Sequence, residues 1–178
     1  MGYFGKMKGT AKSPPAVGLS EIFWSWVGSF TGIAAVAAVN SLIIDRSDLV
    51  MIIGSFGASA VLIYGAIRSP LAQPRNLIGG HMISAAIGVT AWKLIPDPLW
   101  LASSIAVATS IAIMHATKTL HPPGGATALI AVIGSQKIHN LGYLYVLIPA
   151  GVGPIIMLVI ALLVNNISKK RRYPEFWV

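Results

Sequence analysis

The chain has 178 residues, of which 55% are hydrophobic and 10% are charged, and its mean hydropathy is +0.74. Soluble domains carry about 25% charged residues, so this composition excludes an ordinary soluble globular protein. A membrane-spanning helix needs about 20 apolar residues, so the length allows at most about six spans and no separate soluble domain. The lack of cysteine excludes disulfides, iron–sulfur clusters and cysteine zinc sites. The net charge of +8 comes from basic residues at the ends of apolar segments, which indicates membrane topology and not nucleic-acid binding.

Six apolar segments follow an N-terminal stretch, 1–21, which is basic, rich in Gly and Pro, and predicted to be a cytosolic tail. Charged turns or proline-containing loops separate the segments, because helices rarely continue through such breaks. The predicted segments are 22–44, 49–67, 76–95, 99–117, 122–135 and 142–167. Residues 22–167 are therefore predicted to form one transmembrane domain, and residues 168–178 a basic cytosolic tail.

The distribution of basic residues predicts an orientation. If all six segments cross and both termini are cytosolic, ten of the thirteen Lys and Arg residues lie inside, including Arg68, Arg75 and Lys118. If the second and fifth segments dipped into the bilayer and returned, these three residues would lie outside. The positive-inside rule thus favours six crossings of a membrane that we predict to be a bacterial plasma membrane. The fifth segment, 122–135, spans about 21 Å as a helix, so a non-helical stretch must complete its crossing.

A six-residue match indicates an internal repeat. Residues 57–62, GASAVL, align with residues 125–130, GATALI, at an offset of 68. Each motif lies in the second of three apolar segments, which predicts two repeats, 22–95 and 99–167. Three crossings per repeat invert the second repeat, as in many transport folds, so the two helix N-termini should point at one another or at a shared cavity. The predicted fold is an all-α helical bundle of two inverted three-segment repeats, with four long transmembrane helices and two short Gly-rich helices.

The stretch 121–127, HPPGGAT, predicts a helix start at membrane depth that suits an anion. Prolines in the first turn remove N–H groups that would lack partners, and glycines let a ligand approach the backbone. The remaining N–H groups and the helix dipole favour negative charge. Neutral hydroxyl donors in the two short segments suit a small monovalent anion, which must bind without being held too tightly. The predicted substrate-binding residues are Ser55, Gly57, Ser59, His81, His121, Pro122, Pro123, Gly124, Gly125 and Thr127.

The same residues also have a purely structural interpretation, in which Pro-Pro-Gly-Gly is a turn and the small residues are helix-packing surface. We favour the functional interpretation for 121–127, because irregular backbone at membrane depth is tolerated mainly where it is buried or lines a cavity. His81 fits an interhelical hydrogen bond and a role in the pathway equally well; for His115 we favour the hydrogen bond, and we expect His139 to be solvated. With no carboxylate inside a span and no histidine pair at metal-binding spacing, we predict no catalytic residue, metal or cofactor, and no enzyme.

Three stretches of the sequence resemble the HPP family of small integral membrane proteins. They are HPPGGATAL at 121–129, SPLAQPRN at 69–76 followed by GGH at 79–81, and GSFGA at 54–58. The likeness covers about residues 22–167. Family members are described as having four transmembrane helices, which agrees with six crossings if the two Gly-rich segments are too short for hydropathy to detect. Plant and cyanobacterial relatives are associated with nitrite transport, so the resemblance implies transport of a small anion.

We therefore expect a membrane transporter or channel for a small monovalent anion, with nitrite as the substrate implied by the resemblance. Two alternatives stay open: a non-transporting assembly or accessory subunit whose glycines serve only packing, and an intramembrane enzyme, which the lack of acids in the spans disfavours. Small residues on the helix faces also predict a homo-oligomer, with a dimer as the commonest state. The expected partners are thus the anion, the lipid bilayer and further copies of the chain, and not nucleic acid.

Overall fold

A computed structural model describes residues 7, 11, 13–44 and 51–178, and the described parts form helices and no strands. π-Helical turns at Asn40–Ile44 and Val61–Gly65 extend α1 and α2, and a short 3-10 turn, Pro70–Ala72, precedes α3. The helices are α1 (Leu19–Val39), α2 (Ser55–Ala60), α3 (Pro74–Leu94), α4 (Leu99–Ala116), α5 (Pro122–Ile133), α6 (Gln136–Leu141), α7 (Leu144–Leu147) and α8 (Val152–Asn165).

Within those ranges, four helical stretches are long and apolar enough to cross a membrane. They are Leu19–Leu42, Pro74–Leu94, Leu99–Ala116 and Leu144–Asn165. Two shorter apolar helices, Ser55–Gly65 and Pro122–Ile133, lie between them in the sequence. The predicted all-α fold, with four long and two short helices, is confirmed. Hydropathy alone detects four spans because the two Gly-rich helices are too short to register.

The fifth apolar segment is helical over most of its length and ends in a break. Its helix α5 has 12 residues and ends before Gly134, where an added Cβ would lie 2.5 Å from the carbonyl oxygen of Ile130. Only glycine fits so close to the preceding turn. The chain resumes as α6 after the two residues Gly134 and Ser135. That a non-helical stretch completes a membrane crossing here stays a prediction.

The basic termini of the segments meet at one end of the bundle. Arg75 Nη2 donates a hydrogen bond to the carbonyl of Thr117 over 2.6 Å, which joins the start of α3 to the end of α4. Glu21 at the start of α1 lies 3.4 Å from Arg171, beyond the end of α8. We call this the basic end. Its Lys and Arg residues are Arg68, Arg75, Lys118, Lys169, Lys170, Arg171 and Arg172.

The opposite end joins the end of α3 to the chain that follows α5. The Trp92 ring stacks on His139 with the ring centroids 4.1 Å apart, and Lys93 Nζ lies 5.9 Å from the centre of the Tyr143 ring. His139, which we had expected to be solvated, is half-buried and donates from Nε2 to the carbonyl of Val132 over 3.1 Å. The fifth segment therefore starts at the basic end and reaches the other one.

Two of the helix contacts agree with the exchange of halves that an internal repeat predicts, whereas the extensive contact of α3 with α5 has only a small counterpart between α8 and α2. Helix α1 packs against α8 and against the turn Val61–Gly65, while α4 packs against α3 and α5. Exchanging the two halves replaces α1 by α4, α2 by α5 and α8 by α3. The contact of α1 with α8 then becomes that of α4 with α3, and the contact of α1 with the end of the second segment becomes that of α4 with α5. The inverted repeat itself stays a prediction.

Aromatic residues of the second segment fill space left by glycines on the long helices. The fully buried Tyr64 ring lies against Gly28 and Gly32 of α1, and Phe56 lies against Gly153 of α8. Tyr64 also donates its hydroxyl proton to the carbonyl of Met157 over 2.9 Å. These contacts hold the short α2 between α1 and α8.

The predicted domain limits lie close to the helix ends. Helix α1 begins at Leu19 and α8 ends at Asn165. The segment 168–178, predicted as a tail, packs back on the bundle, since Tyr173 donates its hydroxyl proton to the carbonyl of Ala72 over 2.7 Å.

Candidate functional site

Five polar side chains meet in the core of the bundle, and each is at most 1% exposed. We call this set the polar cluster. Its members are Ser55 and Ser59 of α2, His81 of α3, His121 at the N-cap of α5, and Thr127 of α5. Ser55 and Ser59 are one helical turn apart and so share a face of α2. None of the five side chains carries a permanent charge.

Glycines bring α3 and α5 close enough to form the cluster. An added Cβ at Gly80 would lie 2.5 Å from the His121 side chain, and one at Gly124 would lie 2.8 Å from the Gly80 carbonyl. This close approach lets His81 reach Thr127, with 2.7 Å between Nδ1 and Oγ1.

A chain of hydrogen bonds connects all five members. Ser59 Oγ lies 2.7 Å from Nε2 of His81 and 2.9 Å from Nε2 of His121. The two imidazole centroids are 5.1 Å apart, and their planes are inclined by 60°. Thr127 Oγ1, next to His81, lies 2.9 Å from Ser55 Oγ. The cluster thus extends from the start of α5 to the start of α2.

The carbonyl of Leu71 determines where the protons lie. His121 Nδ1 is 2.8 Å from this oxygen, and a carbonyl only accepts, so Nδ1 carries hydrogen. In a neutral ring, Nε2 then accepts the proton of Ser59. Because Ser59 has a single proton, its oxygen accepts from Nε2 of His81. The neutral His81 ring therefore accepts at Nδ1 from Thr127.

Thr127 has one hydroxyl proton and three neighbours that could accept it. They are Nδ1 of His81 at 2.7 Å, Oγ of Ser55 at 2.9 Å and the carbonyl of Pro123 at 3.2 Å. A second proton on His81 would make Nδ1 a donor and release the Thr127 hydroxyl for Ser55 or Pro123. The distances are therefore compatible with two proton arrangements that would differ by one positive charge.

The two short helices run antiparallel beside each other. Ser59, in the second half of α2, faces His121 at the start of α5, while Ser55 at the start of α2 faces Thr127. The N-terminus of each helix thus lies beside the body of the other helix, and the two N-termini do not point at one another. The polar side chains form a row along the facing sides of α2 and α5.

Five of the ten residues predicted to bind substrate form the polar cluster, and the other five lie around it. Gly124 packs against α3, as described above, and Pro123 is buried beside it with its carbonyl near Thr127. Pro122 is exposed and lines a groove between α4 and α5.

Gly57 and Gly125 face away from the cluster. A Cβ at Gly125 would contact only Val107 of α4 at 3.8 Å, and one at Gly57 would have no atom within 4 Å. The backbone N–H of Gly57 donates to Gly54, over 3.2 Å, and that of Gly124 donates to the His121 carbonyl, over 2.8 Å. These two N–H groups are thus bonded within the chain. Their binding role stays a prediction.

Two contributors to this site were not predicted from the sequence. The Leu71 carbonyl orients His121, and Tyr145 donates its hydroxyl proton to the carbonyl of Thr127 over 3.1 Å. Leu71 lies within the stretch 69–76 that resembles the HPP family, and that resemblance was its one available signal. His115, for which we had favoured an interhelical hydrogen bond, is exposed on α4.

The fold and the site define a multi-helix membrane protein with a buried, uncharged polar cluster held by two short helices. A family model described as HPP, transmembrane region, matches residues 14–174. The chain belongs to this HPP transmembrane family.

Two proteins of Dictyostelium discoideum, each described as a transmembrane protein, are similar to the chain. They are 46% and 45% identical to it over 178 and 180 residues, and both alignments cover 98% of this chain. They cover 57% and 63% of the relatives, so the chain spans about three fifths of their length. No solved structure matches. The chain is an integral membrane protein, while its predicted bacterial origin and its orientation stay predictions.

Proposed function

We propose that this protein is a transporter or channel for a small monovalent anion, with nitrite as the expected substrate. The observation that carries the proposal is the polar cluster. Polar side chains at membrane depth are costly and mark substrate or ion pathways. An anion leaving water needs donors that replace its hydration, and neutral hydroxyl and imidazole groups supply them without trapping it.

Two cavities adjoin the ends of the second segment. One, of about 260 Å³, lies between α1 and the start of α2, at Gly54 and Gly57. The other, of about 480 Å³, lies at the basic end, beside Gly65 and Ser69. The polar cluster lies along α2 between these two positions. In our proposal, the packed cluster is a closed state through which the anion passes when α2 and α5 separate.

The two proton arrangements of the cluster support proton-linked movement. A proton on His81 places a positive charge in the cluster and frees the Thr127 hydroxyl. An anion entering with that proton would add no net charge to the membrane interior, which lowers the cost of entry. We therefore propose that His81 is the group that carries the coupled proton.

The accessory-subunit alternative also has an observation in its favour. The five cluster side chains bond one another, as they would in a network that only joins helices. This alternative predicts that purified protein moves no anion and that changes in the cluster alter stability alone.

Flux through proteoliposomes that contain only this protein tests the proposal. Nitrite, nitrate, formate and chloride are compared, and the rate in protein-free liposomes is subtracted because nitrous acid crosses lipid unaided. Thr127→Val keeps the shape but removes the hydroxyl, and should weaken anion binding by about 1 kcal/mol or more. Its matched control is Thr90→Val on α3, whose hydroxyl bonds the Ala86 carbonyl outside the cluster.

We expect Thr127→Val to lower nitrite flux by about fivefold or more and Thr90→Val to leave it near the unmodified rate. Equal nitrite flux in both variants would remove the cluster from the pathway. No protein-dependent flux of any of the four anions would favour the accessory-subunit alternative.

We also propose that the protein forms a homo-oligomer, on the compositional ground that small residues cover its helix faces. Mass measurement in mild detergent tests this, and a monomer that still moves nitrite would contradict it.

A further inference from the structure

The cavity at the basic end has charged residues in its wall, and none of its lining residues belongs to the polar cluster. Its volume is about 480 Å³. Three basic side chains and one carboxylate line it, which gives the wall a net charge of about +2 at neutral pH. These residues are Arg68, Lys170, Arg171 and Glu21.

Arg171 is buried in this wall with donors to spare. It is 5% exposed, donates from Nη2 to the carbonyl of Tyr64, and lies 3.4 Å from Glu21. Its Nε and Nη1 have no hydrogen-bond partner among residues 13–44 and 51–178. Burial lowers the pKa of Arg171, and the Glu21 carboxylate opposes that shift. Both nitrogens are themselves buried, so an acceptor in the cavity would reach them after the Arg171 side chain turns toward it, and pairing them would be stabilising.

The start of α1 adds to the same wall. Val17 and Gly18 line the cavity, and α1 begins at the next residue with no side chain capping its N-terminus. This helix has 21 residues, so the positive end of its dipole lies beside the cavity.

We propose that this cavity binds a phosphate group, supplied by an anionic phospholipid headgroup or by a soluble phosphate. A guanidinium, a lysine and a helix N-terminus are the groups that recognise phosphate. A phospholipid can supply the phosphate group, because the cavity lies where α1 begins and α8 ends. The ends of membrane-spanning helices lie near the lipid headgroups. The proposal is independent of anion transport through the polar cluster.

Binding to the 178-residue chain in mild detergent tests the site. The probes are micelles containing phosphatidic acid, micelles of phosphatidylcholine alone, and inorganic phosphate, and the readout is the dissociation constant from thermal stabilisation. The variant Arg68→Gln with Lys170→Gln removes two lining charges and leaves the buried Arg171 in place. The matched control, Lys169→Gln with Arg172→Gln, removes two exposed charges of the same tail that do not line the cavity.

We expect the cavity variant to raise the dissociation constant for phosphatidic acid about tenfold, and the control to raise it by less than about threefold. Glu21→Gln should lower it, because a carboxylate that competes for Arg171 is removed. Saturable binding of inorganic phosphate with the same variant pattern identifies a soluble phosphate as a ligand, and binding of phosphatidic acid alone identifies the lipid headgroup. Equal losses in the two double variants, or no preference for phosphatidic acid or phosphate over phosphatidylcholine, would overturn the site.

Discussion

His81 and His121 share one hydroxyl, since Nε2 of the first lies 2.7 Å and Nε2 of the second 2.9 Å from Ser59 Oγ. Ser59 belongs to α2, His81 to α3, and His121 begins α5, so a single oxygen joins three helices. All three side chains are fully buried. The stability of the bundle should therefore depend on the Ser59 hydroxyl more than on the hydroxyl of any other serine that the structure describes.

Ser59→Ala should destabilise the protein by about 1–3 kcal/mol, because it leaves two buried imidazole nitrogens without a partner. The matched control is Ser110→Ala on α4. Ser110 is equally buried, but its hydroxyl has no partner in the part of the chain that the structure describes, so its removal should be nearly neutral. Thermal unfolding in detergent measures both. Equal midpoints for the two variants would show that the shared hydroxyl adds no stability.

Gly88→Ala should destabilise the contact between α3 and α5 by about 1–3 kcal/mol through overpacking. An added Cβ would lie 2.5 Å from the Ala128 carbonyl oxygen, which is backbone and cannot rotate away. Gly57→Ala meets open space and should be tolerated, since alanine favours helix. Thermal midpoints of the two variants test this, and a stable Gly88→Ala protein would mean that the two helices can move apart at little cost.

Cysteines introduced at the basic end should be protected from outside in intact cells, because the positive-inside rule places this end in the cytosol. The natural lack of cysteine gives a clean background. Single cysteines at Ser69 and Lys118 should not react with an impermeant thiol reagent, whereas one at Gln136, near the opposite end, should react. Labelling of the first two positions from outside would reverse the proposed orientation.

Ser59 should not react with serine-directed fluorophosphonate probes. Its oxygen lies 2.9 Å from Nε2 of His121, which accepts its proton, and this is the spacing of a nucleophile beside a base that an intramembrane hydrolase would need. However, Ser59 is 0% exposed, so neither a substrate nor the phosphorus atom of the probe can reach the oxygen. Mass spectrometry of probe-treated protein checks this against Ser59→Ala. A probe adduct on Ser59 would revive the enzyme alternative.

The sequence by itself determined the membrane class, the helical segments and which side chains meet in the polar cluster. Hydropathy and proline breaks are local properties of the chain, and they are enough to select helices in a bilayer, where each backbone group must be bonded within its own segment. The polar residues of the short segments could also be found, because a hydroxyl or a histidine among apolar residues is conspicuous in the sequence. Ser59, His81 and Thr127 were predicted on that ground.

Only the tertiary structure decided how these residues meet. Leu71 and His121 are 50 positions apart, and their hydrogen bond selects the His121 tautomer and with it the proton positions of the cluster. The direction in which Gly125 faces depends on how α5 rotates against α4, which is a matter of packing. Arg171 illustrates the same limit, since a run of four basic residues predicts a solvated tail. Its burial follows from long-range contacts with Glu21 and the carbonyl of Tyr64, which no local pattern in the sequence encodes.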